Sequence, residues 1–440
     1  VDPSSDFDVD SGTVSATTAE QAAASIGTKN YKNFADAVAA VKDNETITLL
    51  KDVTLTADLS IENGKTFTID LNRKTLSGAD IFIKGSAFVT ARNGKICGDV
   101  WLKTTNEDKP YNSFTLANDA EIETNGYGIV VTQLSKGADN YGSTVNIQGS
   151  VTGKESTLWV LGNITTDLKT ARNPVTVNVG STAKLTNSDQ TNTALQMAGA
   201  CVVTVEDGAQ ITGGTAIEVR AGKLTVKGGT ITGTGTATEV QPNGNGTSTK
   251  GAGIGIAQHT TKQPIEVTIS GGKISGHTAF FESNPQKNEG DAQQKIELNI
   301  AGGEFTATNG GTNAVSSESG KTNFVTGGTF SSPVDKDYLK GLNAELKANS
   351  GNAPYSYYVD EAAANAANEK NDNTGTVKVL RMTAVSASVA DPVKGTDLAT
   401  SVTIPENAKY TGSVEWLDGQ TTVTGKAKGG KTYTAKITLT

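Results

Sequence analysis

The chain has 440 residues and a formal net charge of −8, with 35% hydrophobic and only 5% aromatic residues. The acidic balance, which lacks a basic run, argues against nucleic acid and anionic membranes as partners, and no apolar stretch of about 18 residues is present that would insert into a membrane. The abundance of Gly, Thr, Asn and Ser disfavours packed helices and favours short strands joined by turns, so we predict an all-β protein.

The chain begins with a polar segment, residues 1–28, which is rich in Ala, Ser and Thr and has neither an initial Met nor an apolar secretory core. We expect a flexible segment at the start of an exported protein whose signal sequence has been removed. This predicts an extracellular location, either secreted or on the cell surface. Residues 31–42 then place Phe34, Val38 and Val41 on one helical face, which predicts an amphipathic helix that caps the first strand.

Internal repeats extend from about residue 45 to residue 332. The clearest copies alternate apolar and polar residues, turn at Gly-Gly and continue with another apolar position; they begin at Leu224, Val267, Leu298 and, in shortened form, Phe324. Weaker copies begin at Leu59, Phe114, Val145, Val175 and Val203. A second strand recurs between the copies, beginning at Tyr127, Thr157, Thr193, Thr215, Ala252 and Thr278.

This repeat has a physical consequence for the fold. Alternation turns every second side chain inward, and a single strand–turn–strand rung cannot bury its inner face alone. Rungs stacked about 4.8 Å apart can bury it, with Gly and Asn at the corners that need positive φ angles. We therefore predict a right-handed parallel β-helix, a solenoid of roughly ten to twelve rungs with a cap at each end, over residues 29–359.

Four segments carry a resemblance to a known architecture: Phe34-Ala-Asp-Ala-Val-Ala-Ala-Val, Thr46-Ile-Thr-Leu-Leu-Lys-Asp-Val-Thr-Leu, Gly327-Gly-Thr-Phe-Ser-Ser and Tyr338-Leu. Together they resemble the pectate-lyase-like β-helix regions of large surface proteins from Gram-positive gut and anaerobic bacteria. The resemblance covers about residues 29–359. It implies a β-helix on a cell surface and implies no particular activity.

The C-terminal part has a different composition. Residues 360–376 are rich in Ala, Asn, Glu and Asp and predict a linker. Strand patterns follow at 377–380, 400–404, 413–417 and 433–440. The last two resemble Ig-like repeat modules of Gram-positive surface proteins. We predict a small Ig-like β domain at 377–440, which is either a minimal module or, as we favour, a truncated one from a longer native protein.

Enzyme signatures are weak in this sequence. A lyase resembling pectate lyases would use Ca²⁺ held by clustered carboxylates and an arginine base, and a β-helix hydrolase would use paired aspartates beside a histidine. Arg172-Asn-Pro is an isolated fragment, no Asp-Asp pair exists, and His259 and His277 fit loop or turn positions. We assign no catalytic, cofactor-binding or metal-binding residue; the acidity is compatible with Ca²⁺, but no spacing identifies a Ca²⁺ ligand. Cys97 and Cys201 fit small buried hydrophobic positions, and a single disulfide between them stays open.

Loop insertions and aromatic residues indicate where a ligand would bind. Insertions at 104–113, 133–143, 167–174, 242–250 and 284–294 interrupt the period, and solenoid insertions often lie on the binding face. Aromatic rings would stack on sugar rings and polar neighbours would hydrogen-bond, although Tyr127 and Trp159 also fit core positions. The candidate ligand-binding residues are Trp101, Tyr111, Asn112, Tyr127, Asp139, Asn140, Tyr141 and Trp159.

Three functions follow from these observations. The favoured one is a non-catalytic surface protein, an adhesin or a module that binds glycan or a host or surface protein. The alternatives are a polysaccharide lyase or glycoside hydrolase of the β-helix type, and a structural spacer. An exposed aromatic strip without acids would favour binding. Ca²⁺ beside exposed carboxylates and a Lys or Arg in a groove would favour an enzyme, and a featureless rod would favour the spacer. The sequence leaves the oligomeric state open.

Overall fold

The structure is a computed structural model that describes residues 21–103, 111–132, 142–164, 167–171, 173–189, 191–239, 250–340, 355–358, 362, 386–405 and 410–439, with backbone only at 7–8, 15–16, 240, 249, 344–348 and 375–378. The chain divides into two compact units, Val1–Leu380 and Arg381–Thr440. Strands dominate the described residues, so the prediction of a mainly β protein is confirmed.

The first unit contains three long parallel sheets, and each of ten rungs contributes one strand to sheets 1, 2 and 3 in that order, after which Gly328–Phe330 adds an eleventh parallel strand to sheet 2. Sheet 1 comprises Thr46–Leu49, Thr66–Asp70, Phe88–Arg92, Tyr111–Leu116, Gly142–Ile147, Val175–Val179, Cys201–Val205, Gly222–Val226, Ile265–Ile269 and Ile296–Ile300. Sheet 2 comprises Val53–Thr54, Thr75–Ser77, Gly94–Cys97, Ala120–Glu123, Ser150–Gly153, Lys184–Asn187, Gln210–Gly213, Thr230–Gly233, Lys273–Gly276, Glu304–Ala307 and Gly328–Phe330. Sheet 3 comprises Leu59–Ile61, Ile81–Ile83, Val100–Lys103, Ile129–Thr132, Leu158–Leu161, Thr193–Ala198, Thr215–Val219, Ala252–Ala257, Thr278–Ser283 and Val315–Ser317. This arrangement is that of a parallel β-helix, as predicted.

The Gly-Gly repeats form the corners between sheets 1 and 2. Gly229 follows the strand Gly222–Val226 and has a φ of 88°. A Cβ atom at this position would lie 2.6 Å from the backbone oxygen of Ala209 in the preceding rung. Both the left-handed backbone and the close approach require glycine, which explains why the repeat keeps it there.

The inward side chains of sheet 3 form two columns along the solenoid, one residue per rung. The first column is buried throughout and consists of Leu59, Ile81, Val100, Ile129, Leu158, Leu195, Ile217, Ile254, Phe280 and Val315. The second column consists of Ile61, Ile83, Leu102, Val131, Val160, Met197, Val219, Ile256 and Glu282. Apart from Glu282, both columns form one continuous hydrophobic core with the inward residues of sheets 1 and 2.

Antiparallel strands border the parallel stack at its N-terminal side. The strand Ala24–Ile26 pairs antiparallel with Thr46–Leu49 and with Lys29–Tyr31. Helix Phe34–Ala40 follows, and its side chains Phe34, Ala37 and Val38 are buried in the same core. The helix therefore packs beside the first rung through its apolar face.

Antiparallel strands also follow the last parallel strand of sheet 2. Gly328–Phe330 pairs antiparallel with Tyr355–Tyr358, which pairs in turn with Ala344–Ala348. Gly375–Lys378 is the outermost strand. The 3-10 helix Lys336–Tyr338 places Tyr338 against Phe324, with ring centroids 5.1 Å apart.

The remaining elements of the first unit are short. The hairpins Phe7–Asp8 with Ser15–Ala16 and Glu239–Val240 with Thr249–Lys250 are antiparallel, and Asp291–Gln294 is a single helical turn. Cys97 and Cys201 are both free thiols. Within the described part of the chain, no helix is long and apolar enough to cross a membrane.

The second unit contains a three-stranded antiparallel sheet. Gly412–Asp418 lies in its centre between Thr421–Val423 and Thr434–Leu439. Trp416 packs with Leu398 and Ala427 in a small separate core, and its indole N–H donates to the backbone oxygen of Ala399 at 2.8 Å. This core is much smaller than that of the solenoid.

Candidate binding site on sheet 3

Aromatic side chains share one outward position on neighbouring strands of sheet 3. Phe82 pairs in register with Trp101, Trp101 with Val130, and Val130 with Trp159. Tyr127 comes from the turn before the strand Ile129–Thr132. These three registers place Phe82, Trp101 and Trp159 on one outer face, because residues in register on adjacent strands point to the same side of a sheet.

The rings contact one another without a break. Phe82 stacks on Trp101 with centroids 5.8 Å apart, and Tyr127 meets the edge of Trp101 at 6.1 Å and stacks on Trp159 at 5.4 Å. The outward position between Trp101 and Trp159 is occupied by Val130, which is fully buried and carries no ring. Tyr127 fills this gap and contacts both tryptophan rings. All four rings are partly exposed. We call Phe82, Trp101, Tyr127 and Trp159 the aromatic strip.

A ladder of aspartates positions this strip from the preceding corner. The Asp80 N–H donates to Asp58 Oδ1 at 3.2 Å, and the Asp99 N–H donates to Asp80 Oδ1 at 3.0 Å. Asp99 is almost completely buried, and its Oδ1 accepts from Thr124 Oγ1 at 2.8 Å and from the Tyr127 N–H at 3.1 Å. Hydrogen bonds to a charged group are among the stronger ones, so Asp99 holds the Tyr127 turn in place.

Burial and charge perturb two groups of this site. Burial raises the pKa of the Asp80 carboxyl, and the nearby carboxylates of Asp99 and Asp58 raise it further, against the hydrogen bond from the Asp99 N–H. Burial also raises the pKa of Tyr127, as do the charges of Glu155 and Asp99. The Tyr127 phenol is therefore neutral at physiological pH and is available as a hydrogen-bonding group.

Two lysines lie over the rings. Lys84 Nζ is 5.7 Å from the centroid of Phe82, and it forms an ion pair with Glu62 at 2.9 Å. Lys103 Nζ is 5.6 Å from the centroid of Phe82 and 6.0 Å from that of Trp101. These distances are within the range of cation–π attraction, so the lysines favour the observed ring positions and add donors beside the strip.

The structure brings three of the sequence-predicted residues together, Trp101, Tyr127 and Trp159. Tyr111 and Asn112 instead begin a strand of sheet 1. Tyr111 is 43% exposed, whereas Asn112 is buried and links rungs, accepting from the Ser86 N–H at 3.0 Å and donating to the Lys103 backbone oxygen at 3.1 Å.

Three further candidates, Asp139, Asn140 and Tyr141, lie outside the described residues. The sequence reasoning missed Phe82, Lys84 and Lys103. The available signal for Phe82 was its position in Ile81-Phe-Ile, which matches Trp101 in Val100-Trp-Leu.

The insertions noted in the sequence are unevenly distributed around the rung. Four of the five insertions connect a strand of sheet 3 to the next strand of sheet 1, namely 104–113, 133–143, 167–174 and 284–294. The fifth, 242–250, connects a strand of sheet 2 to the next strand of sheet 3. The aromatic strip therefore belongs to the sheet from which most insertions leave.

The aromatic strip offers an apolar contact surface, and Asp80, Lys84 and Lys103 beside it offer hydrogen-bonding groups. Among the residues that the structure describes, no three His, Cys, Asp or Glu side chains converge as a metal site. The fold and this site define the chain as a parallel β-helix protein with an aromatic strip on the outer face of sheet 3. No family model matches the chain, and no match was found among curated proteins or solved structures.

Proposed function

We propose that this protein is a non-catalytic extracellular binding module and that its aromatic strip contacts glycan. The observation that carries the proposal is the unbroken series of partly exposed ring contacts from Phe82 to Trp159. Sugar rings present apolar C–H faces, and ligand sites combine apolar or aromatic surface with a few oriented polar groups. Asp80 and Lys103, at opposite ends of neighbouring strands, are suited to supply those polar groups.

The wider setting forms part of the same proposal. The parallel β-helix is right-handed, because crossover connections between parallel strands almost always are. Helix Phe34–Ala40 caps its first rung, and the unit Arg381–Thr440 belongs to an Ig-like module of a Gram-positive cell-surface protein. The antiparallel sheet around the buried Trp416 supports the Ig-like assignment. The protein would then serve as an adhesin, with a glycan on host or plant material as its partner.

The proposal is tested by screening the purified chain on a broad array of plant and host glycans, with and without Ca²⁺, while product release is monitored. We expect saturable binding without product. The substitution Trp101→Ala should weaken binding by about tenfold or more, as truncation of an aromatic hot spot commonly does. Tyr111→Ala is the matched control, because it removes an exposed ring that lies outside the strip.

Three outcomes would contradict the proposal. Release of unsaturated or reducing-end product would make the protein a polysaccharide lyase or glycoside hydrolase. Absence of both binding and product would leave the spacer as the better description of the solenoid. Equal losses in Trp101→Ala and Tyr111→Ala would show that a bound glycan does not use the strip.

A further inference from the structure

The chain turns from sheet 1 into sheet 2 through the same Gly-Gly corner in several consecutive rungs. The second glycines of three such corners, Gly229, Gly272 and Gly303, have φ angles of 88°, 100° and 105°. Each directly precedes a strand of sheet 2, and these three strands pair in register. The three glycines therefore occupy equivalent positions, and their backbone N–H groups lie at equivalent points of neighbouring rungs.

The first of these N–H groups binds a carboxylate of the protein itself. Asp207, in the turn of the preceding rung, accepts through Oδ1 from the Gly229 N–H at 3.2 Å and from the Gly208 N–H at 3.0 Å. The carboxylate lies against the corner, because a Cβ atom on Gly228 would be 2.4 Å from Asp207 Oδ1. Gly229 is consequently buried. Asp207 thus shows which chemical group this corner accepts.

The two following corners present the same N–H groups without a carboxylate. The corner that precedes Gly272 is itself Gly-Gly, as is the corner that precedes Gly303, so neither offers a side chain in the place of Asp207. Within the part of the chain that the structure describes, the N–H groups of Gly272 and Gly303 have no hydrogen-bond acceptor. Both glycines are partly exposed, whereas Gly229 is not. Two backbone donors therefore remain open to a ligand.

The three glycines Gly229, Gly272 and Gly303 line one groove of about 830 Å³ beside sheet 2. Lys273 and Glu304 add opposite charges to its lining. The Lys273 Nζ atom is 3.8 Å from the Glu304 carboxylate, and both side chains are largely exposed. Because exposed ion pairs of this kind contribute little, the Lys273 cation can turn to the carboxylate of a ligand without a large loss.

We propose that this groove binds the side-chain carboxylates of an acidic peptide. Successive backbone N–H groups in turns form concave anion sites, and hydrogen bonds to a charged acceptor are among the stronger ones. A peptide aspartate would accept from the Gly272 or Gly303 N–H, with the Lys273 cation beside it. This reproduces the bond that Asp207 accepts from Gly229, so the occupant of the first corner is the model for the partner. The groove belongs to sheet 2 and is separate from the aromatic strip on sheet 3.

Nuclear magnetic resonance of the full chain, isotope-labelled at the glycine amides, reports on these groups directly. The probes are acetyl-Gly-Asp-Gly-Asp-Gly-amide, its counterpart with Asn at both Asp positions, and sodium acetate. With the Asp peptide we expect saturable downfield shifts of the Gly272 and Gly303 amide protons, and no shift at Gly229, because Asp207 already occupies that amide. The Asn peptide should bind about fivefold or more weakly, because the charge assistance is lost. Acetate binding as tightly as the Asp peptide would overturn the assignment of a peptide partner.

Variants locate the site. Asp207→Ala should make the Gly229 amide respond to the Asp peptide as well, since the carboxylate of the protein is then gone. Lys273→Ala should weaken peptide binding by about twofold to fivefold. Lys223→Ala is the matched control, because it removes a lysine of sheet 1 that pairs with Glu266 outside the groove, and it should leave binding unchanged.

Three outcomes would overturn the proposal: Gly272 and Gly303 amides that do not shift, equal binding of the Asp and Asn peptides, or a silent Gly229 amide in folded Asp207→Ala. The titration of the unsubstituted chain decides the proposal if Asp207→Ala does not fold. Trp101→Ala should leave the glycine shifts unchanged, so failure of this proposal and failure of the glycan proposal are distinguishable.

Discussion

Replacing Ile254 by alanine tests whether the inward columns stabilise the solenoid rung by rung. Ile254 is fully buried and pairs in register with Ile217 on one side and Phe280 on the other. The substitution removes three carbons, worth about 2.4 kcal/mol at about 0.8 kcal/mol each, and leaves a cavity that adds to the loss. We therefore expect the free energy of unfolding to fall by about 2–5 kcal/mol.

Urea unfolding followed by circular dichroism measures this loss, and Ile254→Val provides the graded comparison, with an expected loss of about 0.5–1.5 kcal/mol. In a repeat protein each rung contacts only its neighbours, so hydrogen exchange should show the loss of protection locally. We expect it in the flanking strands Thr215–Val219 and Thr278–Ser283 and not in the distant strand Thr66–Asp70.

Two results would refute this reasoning. If the alanine variant lost no more stability than the valine variant, the inward column would not be close-packed at this rung. If protection fell evenly from Thr66–Asp70 to Thr278–Ser283, the solenoid would unfold as one cooperative block and the rung-by-rung account would be wrong.

Three further predictions concern a corner, a charge and the thiols. Gly229→Ala should destabilise the solenoid by about 1–3 kcal/mol in urea unfolding, because a strained φ is imposed on alanine beside the Ala209 oxygen; an unchanged midpoint would contradict this. The raised pKa of Asp80 means that its stabilising contribution is complete below the unfolded value of 3.8 and is lost as pH rises through the higher folded pKa. Asp80→Asn, which keeps the Oδ1 acceptor, should therefore raise the melting temperature at pH 7 and leave it unchanged at pH 3. A lower melting temperature of the variant at pH 7 would show that the Asp80 charge is favourable. A thiol reagent should label Cys97 in the folded protein, whereas Cys201, whose pKa burial raises to about 12, should react only after unfolding; equal labelling rates would contradict its burial.

The solenoid could be predicted from sequence because its physics is periodic. The repeats that begin at Leu224, Val267 and Leu298 fold as neighbouring strands with these three residues in register. Alternation and Gly-Gly turns act locally, and stacking follows from the need to bury the inner face. The same local signals indicated the second strand at Thr215 and at Ala252.

The antiparallel end of sheet 2 could not be predicted, because it depends on pairing between distant segments. Gly375–Lys378 pairs with Ala344–Ala348, and neither segment carries the repeat. Such pairing is selected by which strand edge is available in the folded chain. Sequence patterns do not report that availability.

The candidate site was predictable only in part. Trp101 and Trp159 were identified as aromatic residues in strands, but their shared outward column depends on rung registers that sequence spacing alone does not fix. Asn112 looked like a polar ligand-binding residue, whereas in the fold its amide connects two rungs. A polar side chain beside an aromatic one has the same sequence signature in both roles.

The antiparallel strands at the two ends of the stack limit the growth of the molecule. A parallel β-helix offers its terminal strands as templates, and a second copy could in principle add rungs without end. Ala24–Ile26 reverses the chain direction at the start of sheet 1, and Tyr355–Tyr358 does so at the end of sheet 2. A further parallel rung would meet a strand of the wrong polarity in one of its three sheets at either end. The direction of two short strands thus disfavours fibre formation, although the strands of the three parallel sheets favour continuation.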